Sequence, residues 1–546
     1  MVIKDLRVLI LSAGKINNEL AKIFGKIPSG LIPINGKPAI FRIIDKLLAE
    51  GITNISITVG YKREIFQEII NEQYKNQCNL DFISTDYQRP PGNSIKTSMS
   101  YCCGKKILVI LGDTLIDNNL SKLMNIDRNF VLISENFVDS KNWCVITKKQ
   151  ERVDEIFDKK ILDDERKYYA LVGCYFFNNF KLLKSTLESF SEKDDLEISS
   201  IIEKIKEKEE FDSVNVEKWY DVGHLENYFS TKQFVLKTRY FNTLQFHDQG
   251  ESVVKTSTNN EKLINEINWY KSVPKDLENL IPKVLDSSTG NHPFLKLEYI
   301  KNPTLSELWL YSEFSIDFWK TVITDLFGII QRFKNHKEQV SRQEYNSMYF
   351  EKTSDRIYEL IETDIFFKKI LDEDFVFINN KKLKNWNLLK KEIKERIDGM
   401  YNDEDNCLIH GDLYFANILY DTEDKNFKLI DPRGKWGNKI SGDIKYDIAK
   451  IRHSVVGGFD TIINGLYSAK HLGENRIEYK IFNSENNKII GNELDRNIEK
   501  NWKLDEIKII EGLLFISMLP LHKDNPERQL ALFCVGIERL NEIIGN

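Results

Sequence analysis

From Cys407 an apolar run breaks into His410-Gly411-Asp412, and Asn417 follows that aspartate by five residues. A second apolar run, Phe427 to Ile430, ends on Asp431. This stretch constrains the fold more than any other. Two short buried strands must pin the ends of a polar loop while the loop itself stays outside the core. The corners then present a carboxylate, an amide and a second carboxylate together. An acceptor hydroxyl is a poor nucleophile, so a carboxylate such as Asp412 must orient it and take its proton. Asn417 and Asp431 offer oxygen ligands of the kind a hard cation such as Mg2+ prefers. These are the parts of a phosphoryl-transfer site.

A chain of 546 residues exceeds what one hydrophobic core supports, so two or more domains are expected. The net charge of -6 gives no basic excess for nucleic acid and no polybasic tail for an anionic membrane. The apolar run Val8 to Leu11 is too short for a signal peptide, and no segment reaches the length of a membrane span. A cytoplasmic protein is expected, with homo-oligomerisation left open. The seven cysteines are odd in number and form no CxxC pair, which points to reduced, buried thiols rather than disulfides or zinc.

The first part alternates strands and helices. Arg7 to Leu11, Ile55 to Val59, Leu80 to Ser84 and Ile107 to Leu111 read as strands, with amphipathic helices at Pro38 to Glu50 and Ile65 to Tyr74. This order predicts a mainly parallel sheet covered by helices. A connector is placed at 236–245. A new start follows, with a strand at Ser252 to Thr256, a helix from Asn260 to Tyr270 ended by Pro274, and a strand at Phe294 to Ile300. From Ser315 the chain reads as largely helical, including a long stretch from Lys381 to Tyr401. The expected domains are 1–235 and 246–546, the second divided into a small lobe, 246–302, and a helical lobe, 303–546.

The HGD triplet, the asparagine five residues on and the aspartate after the next strand resemble the catalytic loop of the aminoglycoside phosphotransferase and choline kinase group, relatives of protein kinases. The resemblance implies a bilobal, protein-kinase-like α+β domain that uses ATP and Mg2+. Asp412 would be the base, and Asn417 and Asp431 the metal ligands. His410 would shape the loop, and Asp447 would hold it through hydrogen bonds. Val253-Val254-Lys255 is similar to the strand carrying the family's phosphate-binding lysine, with Glu266 as its ion-pair partner. Gly250 resembles the turn over the phosphates, and Leu297 to Ile300 the segment joining the lobes. Arg433 is counted with Lys255 and Glu266 as a nucleotide contact. The segment from Lys435 to Lys445, with Trp436, is either acceptor pocket or solvated loop.

Leu9-Ile10-Leu11-Ser12-Ala13-Gly14 resembles the opening of the sugar-phosphate and phosphocholine nucleotidyltransferases. Gly36-Lys37-Pro38, Val59-Gly60-Tyr61, Leu111-Gly112-Asp113-Thr114, Gly173-Cys174-Tyr175-Phe176 and Trp219-Tyr220-Asp221-Val222-Gly223 continue it in order. The likeness implies a Rossmann-like mixed α/β sheet over about residues 1 to 235. It also implies attack by a phosphomonoester on the α-phosphate of CTP or another nucleoside triphosphate. Asp113 and Asp221 would hold Mg2+, which relieves repulsion between the two anions. Backbone amides at Ser12, Ala13 and Gly14 would bind base or phosphate. Asn93 and Ser94 match the place where relatives touch the nucleobase, and Lys159 the lysine on the substrate phosphate. Two family cations are missing: Lys15-Ile16-Asn17-Asn18 stands at the usual Gly-rich, Arg-bearing turn, and Ser29 at the usual lysine. Lys15, Lys22 and Lys26 are the candidate substitutes.

Together the resemblances imply a kinase that makes a phosphomonoester and a nucleotidyltransferase that activates it, toward an NDP-linked precursor of capsule or other surface polysaccharide. A sugar or polyol is the favoured acceptor. Choline or ethanolamine, caged by Tyr414, Phe415, Trp436 and Tyr446, is the alternative; Asp412, Arg433 and Asp443 suit a polyol equally. A reading of another class makes the first domain a non-catalytic binding or assembly module.

Overall fold

The structure, a computed structural model, describes residues 6–102, 104–124, 127–137, 140–162, 165–235, 242–437, 439–482 and 484–544. The chain divides into two compact units, Met1–Val235 with Tyr311–Glu313, and Leu236–Leu310 with Phe314–Asn546. Residues 311–313, expected in the helical lobe, thus group with the first unit. Of the expected linker, 236–241 lie outside the described residues. Residues 242–245 are instead part of a strand, Asn242–His247, because their backbone pairs with Ser252–Ser257.

The first unit is built on nine strands: β1 (Leu6–Leu11), β2 (Asn54–Val59), β3 (Asn79–Ser84), β4 (Lys106–Leu111), β5 (Asn129–Ser134), β6 (Cys144–Lys149), β7 (Arg152–Asp158), β8 (Tyr169–Phe177) and β9 (Phe211–Asn215). Their order in the sheet is β3-β2-β1-β4-β8-β5-β9-β7-β6. From β3 to β4 every pairing is parallel. Val8, Leu9 and Ile10 are fully buried, as a strand covered on both faces requires. The helix Ala39–Ala49 buries Ile40, Ile43, Ile44 and Leu47, and Gly51, at φ 76°, lets the chain turn out of it. The other half departs from the mainly parallel sheet read from the strand–helix order and agrees with the mixed sheet that the family resemblance implies. There β8 runs antiparallel to β4 and β5, and β7 antiparallel to β6 and β9. The reason is local. Only Gln150 and Glu151 separate β6 from β7, and Gln150 takes a left-handed φ of 56°, so the strands must form a hairpin. The core beneath includes Leu9, Val109, Val131, Ile133, Tyr175 and Ile201.

The second unit opens with a four-stranded antiparallel sheet in the order Asn242–His247, Ser252–Ser257, Phe294–Glu298, Val284–Ser288. The helix Asn260–Ser272 is capped by Asn259, whose side chain accepts from the Lys262 amide. Helices dominate further on, among them Ile316–Lys334, Lys352–Thr363, Lys445–Val455, Leu504–Met518 and Pro526–Ile544. The stretch from Lys381 to Tyr401 is not one helix. Lys381–Lys384 is a strand, and the helix starts at Trp386. That strand pairs with Phe375–Ile378 through a turn at Asn379 and Asn380, both left-handed (φ 47° and 65°), as a type I′ hairpin demands. With Arg476–Ile481 and Tyr467–Gly473 they form a second four-stranded sheet. No helix among the described residues is long and apolar enough to cross a membrane.

Candidate active sites

In the first unit, β4 runs through Gly112 and Asp113 into the short strand Thr114–Ile116. That strand pairs with Trp219–Asp221, placing Asp221 opposite Thr114, and the Val222 amide donates to the Asp113 carbonyl at 3.1 Å. Two carboxylates separated by more than a hundred residues therefore lie side by side. Asp221 accepts from the Gly223 amide at 3.1 Å and from Asn227 Nδ2 at 2.9 Å, and His224 Nδ1 lies 2.8 Å from it. A Cβ on Gly223 would fall 2.9 Å from Asp113 Oδ2 and 3.4 Å from Asp221 Oδ1, so a side chain there would displace the Asp113 carboxylate. Burial, with the Asp221 charge beside it, pushes the Asp113 carboxyl up to about 6. The hydrogen bond to Asp221 raises His224 above its ordinary value. An all-oxygen pair under mutual repulsion fits a hard divalent cation, which binds through one or two carboxylates plus substrate phosphates.

Beside this pair lies a cleft of about 520 Å³ lined by Lys15, Asn17, Ser29, Asp113, Gly223 and His224. Asn17 spans it, donating to the Gly223 carbonyl at 2.8 Å. Of the three candidate substitute lysines, Lys15 is on this wall, opposite Pro28 in an antiparallel bridge. A second hollow, about 660 Å³, shares His224 and is walled by Trp143 and Trp219, whose rings meet edge to face at 4.7 Å.

The loop after β1 departs from expectation at Ser12. Its amide already donates to Thr58 Oγ1 at 3.0 Å, and its buried hydroxyl sits between Gly30 and Gly112, where a Cβ would come within 2.4 and 2.6 Å of it. Ser12 therefore packs the loop instead of offering its amide to a ligand. The Ala13 carbonyl accepts from Tyr61 and the Gly14 carbonyl from Ser29, at 2.9 and 3.1 Å. Asn93 also differs from expectation. Its amide is engaged at both ends, accepting from the Leu196 amide and donating to the Asp194 carbonyl, each at 2.9 Å. Ser94 donates to Thr85 Oγ1 at 3.1 Å. Lys159 is exposed just after β7 in a left-handed conformation (φ 51°), and its amide donates to the Trp143 carbonyl at 3.0 Å.

In the second unit, Lys255 Nζ donates to both Glu266 oxygens at 2.8 and 2.7 Å and to Asp431 Oδ1 at 2.8 Å. Burial alone would lower the lysine, but Asp431 and Glu266 override it and hold the ammonium well above its ordinary value. Asp412 meets Lys450 Nζ at 3.0 Å. Asn417 Nδ2 donates to the Asp412 carbonyl at 2.9 Å and to its Oδ2 at 3.1 Å, which turns the amide oxygen the other way. Asp431 stands at φ 54°, a left-handed conformation that aspartate tolerates better than most residues.

The loop is fixed from behind. Asp447 accepts from the His410 and Gly411 amides at 2.7 and 2.8 Å, and Trp269 Nε1 donates to the Ile409 carbonyl at 2.8 Å. His410 Nε2 donates to the Ile430 carbonyl at 3.1 Å while Nδ1 accepts from the Asp412 amide at 3.3 Å. That pattern requires the neutral ring, and burial holds the imidazole down to about 4. Arg433 was expected beside the nucleotide lysine. Instead its guanidinium lies 3.6 Å over the Trp436 ring, and its charge is felt at Lys352 and Lys450, which groups it with Asp412. Asp443 is no acceptor contact; it is fully enclosed, taking Tyr349 Oη and the Lys445 amide at 3.0 Å each. Phe415 is core, packed between Trp309 and Trp319.

Residues 8–238 match the nucleotidyl transferase family model. The first unit is a nucleotidyltransferase domain. Among curated relatives, the bifunctional protein GlmU of Methanococcus aeolicus is 26% identical over 233 residues, 42% of this chain and 54% of that protein. The UTP–glucose-1-phosphate uridylyltransferase AglF of Haloferax volcanii is 21% identical, over 41% of this chain and 93% of that protein. The D-glycero-α-D-manno-heptose 1-phosphate guanylyltransferase of Campylobacter jejuni is 27% identical, over 33% of this chain and 83% of that protein. The chain spans about half the length of the GlmU relatives it matches.

In the nucleotidyltransferase domain, sequence reasoning missed His224 and Asn227, which anchor Asp221. The signal was present: both follow Asp221 within six residues, at spacings that return a side chain to it. Missed in the second unit were Lys450, Lys352 and Arg356. Lys450 is one helical turn past Asp447, which places it on the same face, toward the loop.

Proposed function

We propose that the chain is a bifunctional enzyme. Its second unit phosphorylates a small hydroxylated acceptor, a sugar or polyol derivative, with ATP. Its nucleotidyltransferase domain then joins the resulting phosphomonoester to CTP or another nucleoside triphosphate, giving an NDP-activated precursor for surface polysaccharide. The observation that carries the kinase half is the Lys255–Glu266–Asp431 cluster, with Asp431 176 residues from Lys255 in sequence.

In this reading Asp412 receives the acceptor proton as the hydroxyl oxygen bonds to the γ-phosphorus and ADP leaves. Lys255, held by Glu266, steadies the donor phosphates. Asn417 and Asp431 would hold Mg2+, which when bound neutralises phosphate charge. In the first domain an oxygen of the phosphomonoester attacks the α-phosphorus and pyrophosphate leaves. Asp113 and Asp221 would hold the metal there, Ala13 and Gly14 would line the nucleotide side, and Lys159, tied to the Trp143 wall, would meet the acceptor phosphate. The printed names of two relatives, a glucose-1-phosphate uridylyltransferase and a heptose 1-phosphate guanylyltransferase, support a sugar phosphate.

The test is a two-step assay on the full chain with ATP, Mg2+ and a panel of sugars and polyols, followed by each nucleoside triphosphate. ADP release that depends on one acceptor, then pyrophosphate release that depends on the first product, supports the reading. Pyrophosphate release without any ATP-dependent step removes the kinase half; the reverse pattern makes the first domain a binding module.

A further inference from the structure

Four cations surround Asp412. Lys352 and Arg356 stand four residues apart on the helix Lys352–Thr363 and so share a face. Lys352 Nζ lies 4.7 Å from the centre of the Tyr446 ring and 4.9 Å from that of Trp436, and donates to Tyr446 Oη at 3.1 Å. Arg433 covers Trp436, and Lys450 reaches Asp412. Arg356 Nη1 is anchored on the Ser517 carbonyl at 2.9 Å.

Their charges are poorly answered. Among the described residues no carboxylate lies within ion-pair distance of Lys352, Arg356 or Arg433. Glu359, on the same helix, pairs with Lys523 at 3.5 Å and acts on Arg356 only from beyond ion-pair distance. Asp412 is shared with Lys450 and Asn417. Burial and the charges of Arg433, Arg356 and Lys450 push the Lys352 ammonium well below its ordinary value, with the Asp412 charge opposing them. A second observation is independent of charge. Trp436 is 7% exposed, yet its indole Nε1 has no acceptor among the described residues, and it lies 3.6 Å from where a Cβ on Gly411 would stand. A buried N–H donor beside a surplus of cations is the outline of an anion site.

We propose that the acceptor carries its own negative group, a carboxylate or a phosphate, seated among Lys352, Arg356, Arg433 and the Trp436 N–H, with its hydroxyl at Asp412. This rests on the phosphotransferase reading of the second unit. The anionic group takes no part in bond making: the hydroxyl oxygen bonds to the γ-phosphorus, the bond from that phosphorus to the ADP oxygen breaks, and the proton goes to Asp412. A quaternary ammonium such as choline would meet four like charges here; of the rings proposed to cage it, Tyr414, Trp436 and Tyr446 already face the protein's own cations and Phe415 lies in the core. The product delivered to the nucleotidyltransferase domain then carries two negative groups, its new phosphate and the original one.

The experiment measures ATP turnover by the full chain on matched acceptor sets: glycerol, glycerate and glycerol 3-phosphate, and glucose, glucuronate and glucose 6-phosphate. The expected result is a kcat/KM at least about tenfold higher for one charged member than for its neutral counterpart, with the carboxylate and phosphate arms naming the source of the charge. Lys352→Met and Arg433→Met should each raise the KM for that member by about tenfold or more and pull the charged-to-neutral ratio toward one. An unchanged KM for ATP certifies that they fold, and Lys352→Arg should restore the ratio. A neutral member used as well as its charged partners, or ratios unmoved by both Met variants, overturns the anionic acceptor and leaves the kinase standing. ADP formation from no member of either set overturns the kinase reading and this inference with it.

Discussion

On the proposed function the two sites would face the same difficulty, bringing anions together, and they are built in opposite ways. In the nucleotidyltransferase domain Asp113 and Asp221 form a negative corner with few built-in cations. Lys15 is exposed, and Ser29 stands where a lysine is expected. The second unit clasps one lysine between two carboxylates and surrounds Asp412 with four cations. The first site must import positive charge with its ligands. The second has it fixed in the fold, where it costs no reorganisation at the moment of reaction.

The largest effects test whether the sites are independent. Asp412→Asn should lower ATP-dependent phosphoryl transfer by about a thousandfold while pyrophosphate release from a supplied phosphomonoester persists. Asp113→Ala should do the reverse. Loss of both activities in either variant breaks the comparison.

The histidines of the two units respond to acid with opposite signs. His410 is buried and neutral, its folded value held down to about 4 against 6.5. Above 6.5 neither state binds the proton. As the pH falls below that, the unfolded chain takes a proton the folded one refuses, so stability drops until about pH 4, by roughly 3 kcal/mol in all. His522 in the same unit is likewise pushed down to about 4 by burial. His224 in the first domain has the opposite sign. Its value is raised by Asp221, so its contribution is present below 6.5 and fades as the pH rises through the raised value. Burial pushes Glu266 and Asp447 up to about 7 and Asp443 up to about 6, and these carboxyls pull the other way in the second unit. The His410 share is read by comparison: His410→Asn should flatten the fall in that unit's unfolding free energy between pH 7 and 4, and an unchanged slope would contradict this.

Gly434→Ala should cost the second unit about 2 to 4 kcal/mol in denaturant unfolding and weaken ATP binding. The glycine stands at φ 90°, and a Cβ would lie 2.6 Å from the Asn265 backbone, in the helix that carries Glu266. The smallest effect is a gain. Ser29→Lys should place a cation on the wall of the first cleft and raise nucleotidyl transfer by about tenfold. No change would mean that Lys15 already supplies it.

The neighbourhoods of Asp412 with Asn417 and of Asp113 with Asp221 were legible because each motif sits in a short ordered run. Asn417 meets Asp412, and its carbonyl accepts from the Ile430 amide, one residue before Asp431, because strands bring the ends of one loop together; Asp113 meets Asp221 through one short antiparallel pairing. The cation cluster was not legible. Lys352 precedes Arg433 by 81 residues and Lys450 by 98. On the sequence, Lys352 and Arg356 look like a solvated helix face. The antiparallel half of the first sheet and the second sheet of the other unit were hidden for a different reason. Their register is set by tight turns at Gln150 and at Asn379-Asn380, and neither contains the glycine that usually betrays a hairpin. Ser12 and Asn93 misled because a motif fixes a residue's place but not what its hydrogen bonds are spent on.

Asp431 stands where few side chains can. Its left-handed backbone means that an alanine there would disturb the main chain as well as delete the carboxylate, mixing two losses in one measurement. Asparagine accepts the same torsion and changes chiefly the charge. For anyone wanting a clean inactive control of this site, the shape of the peptide chain, rather than custom, selects the replacement.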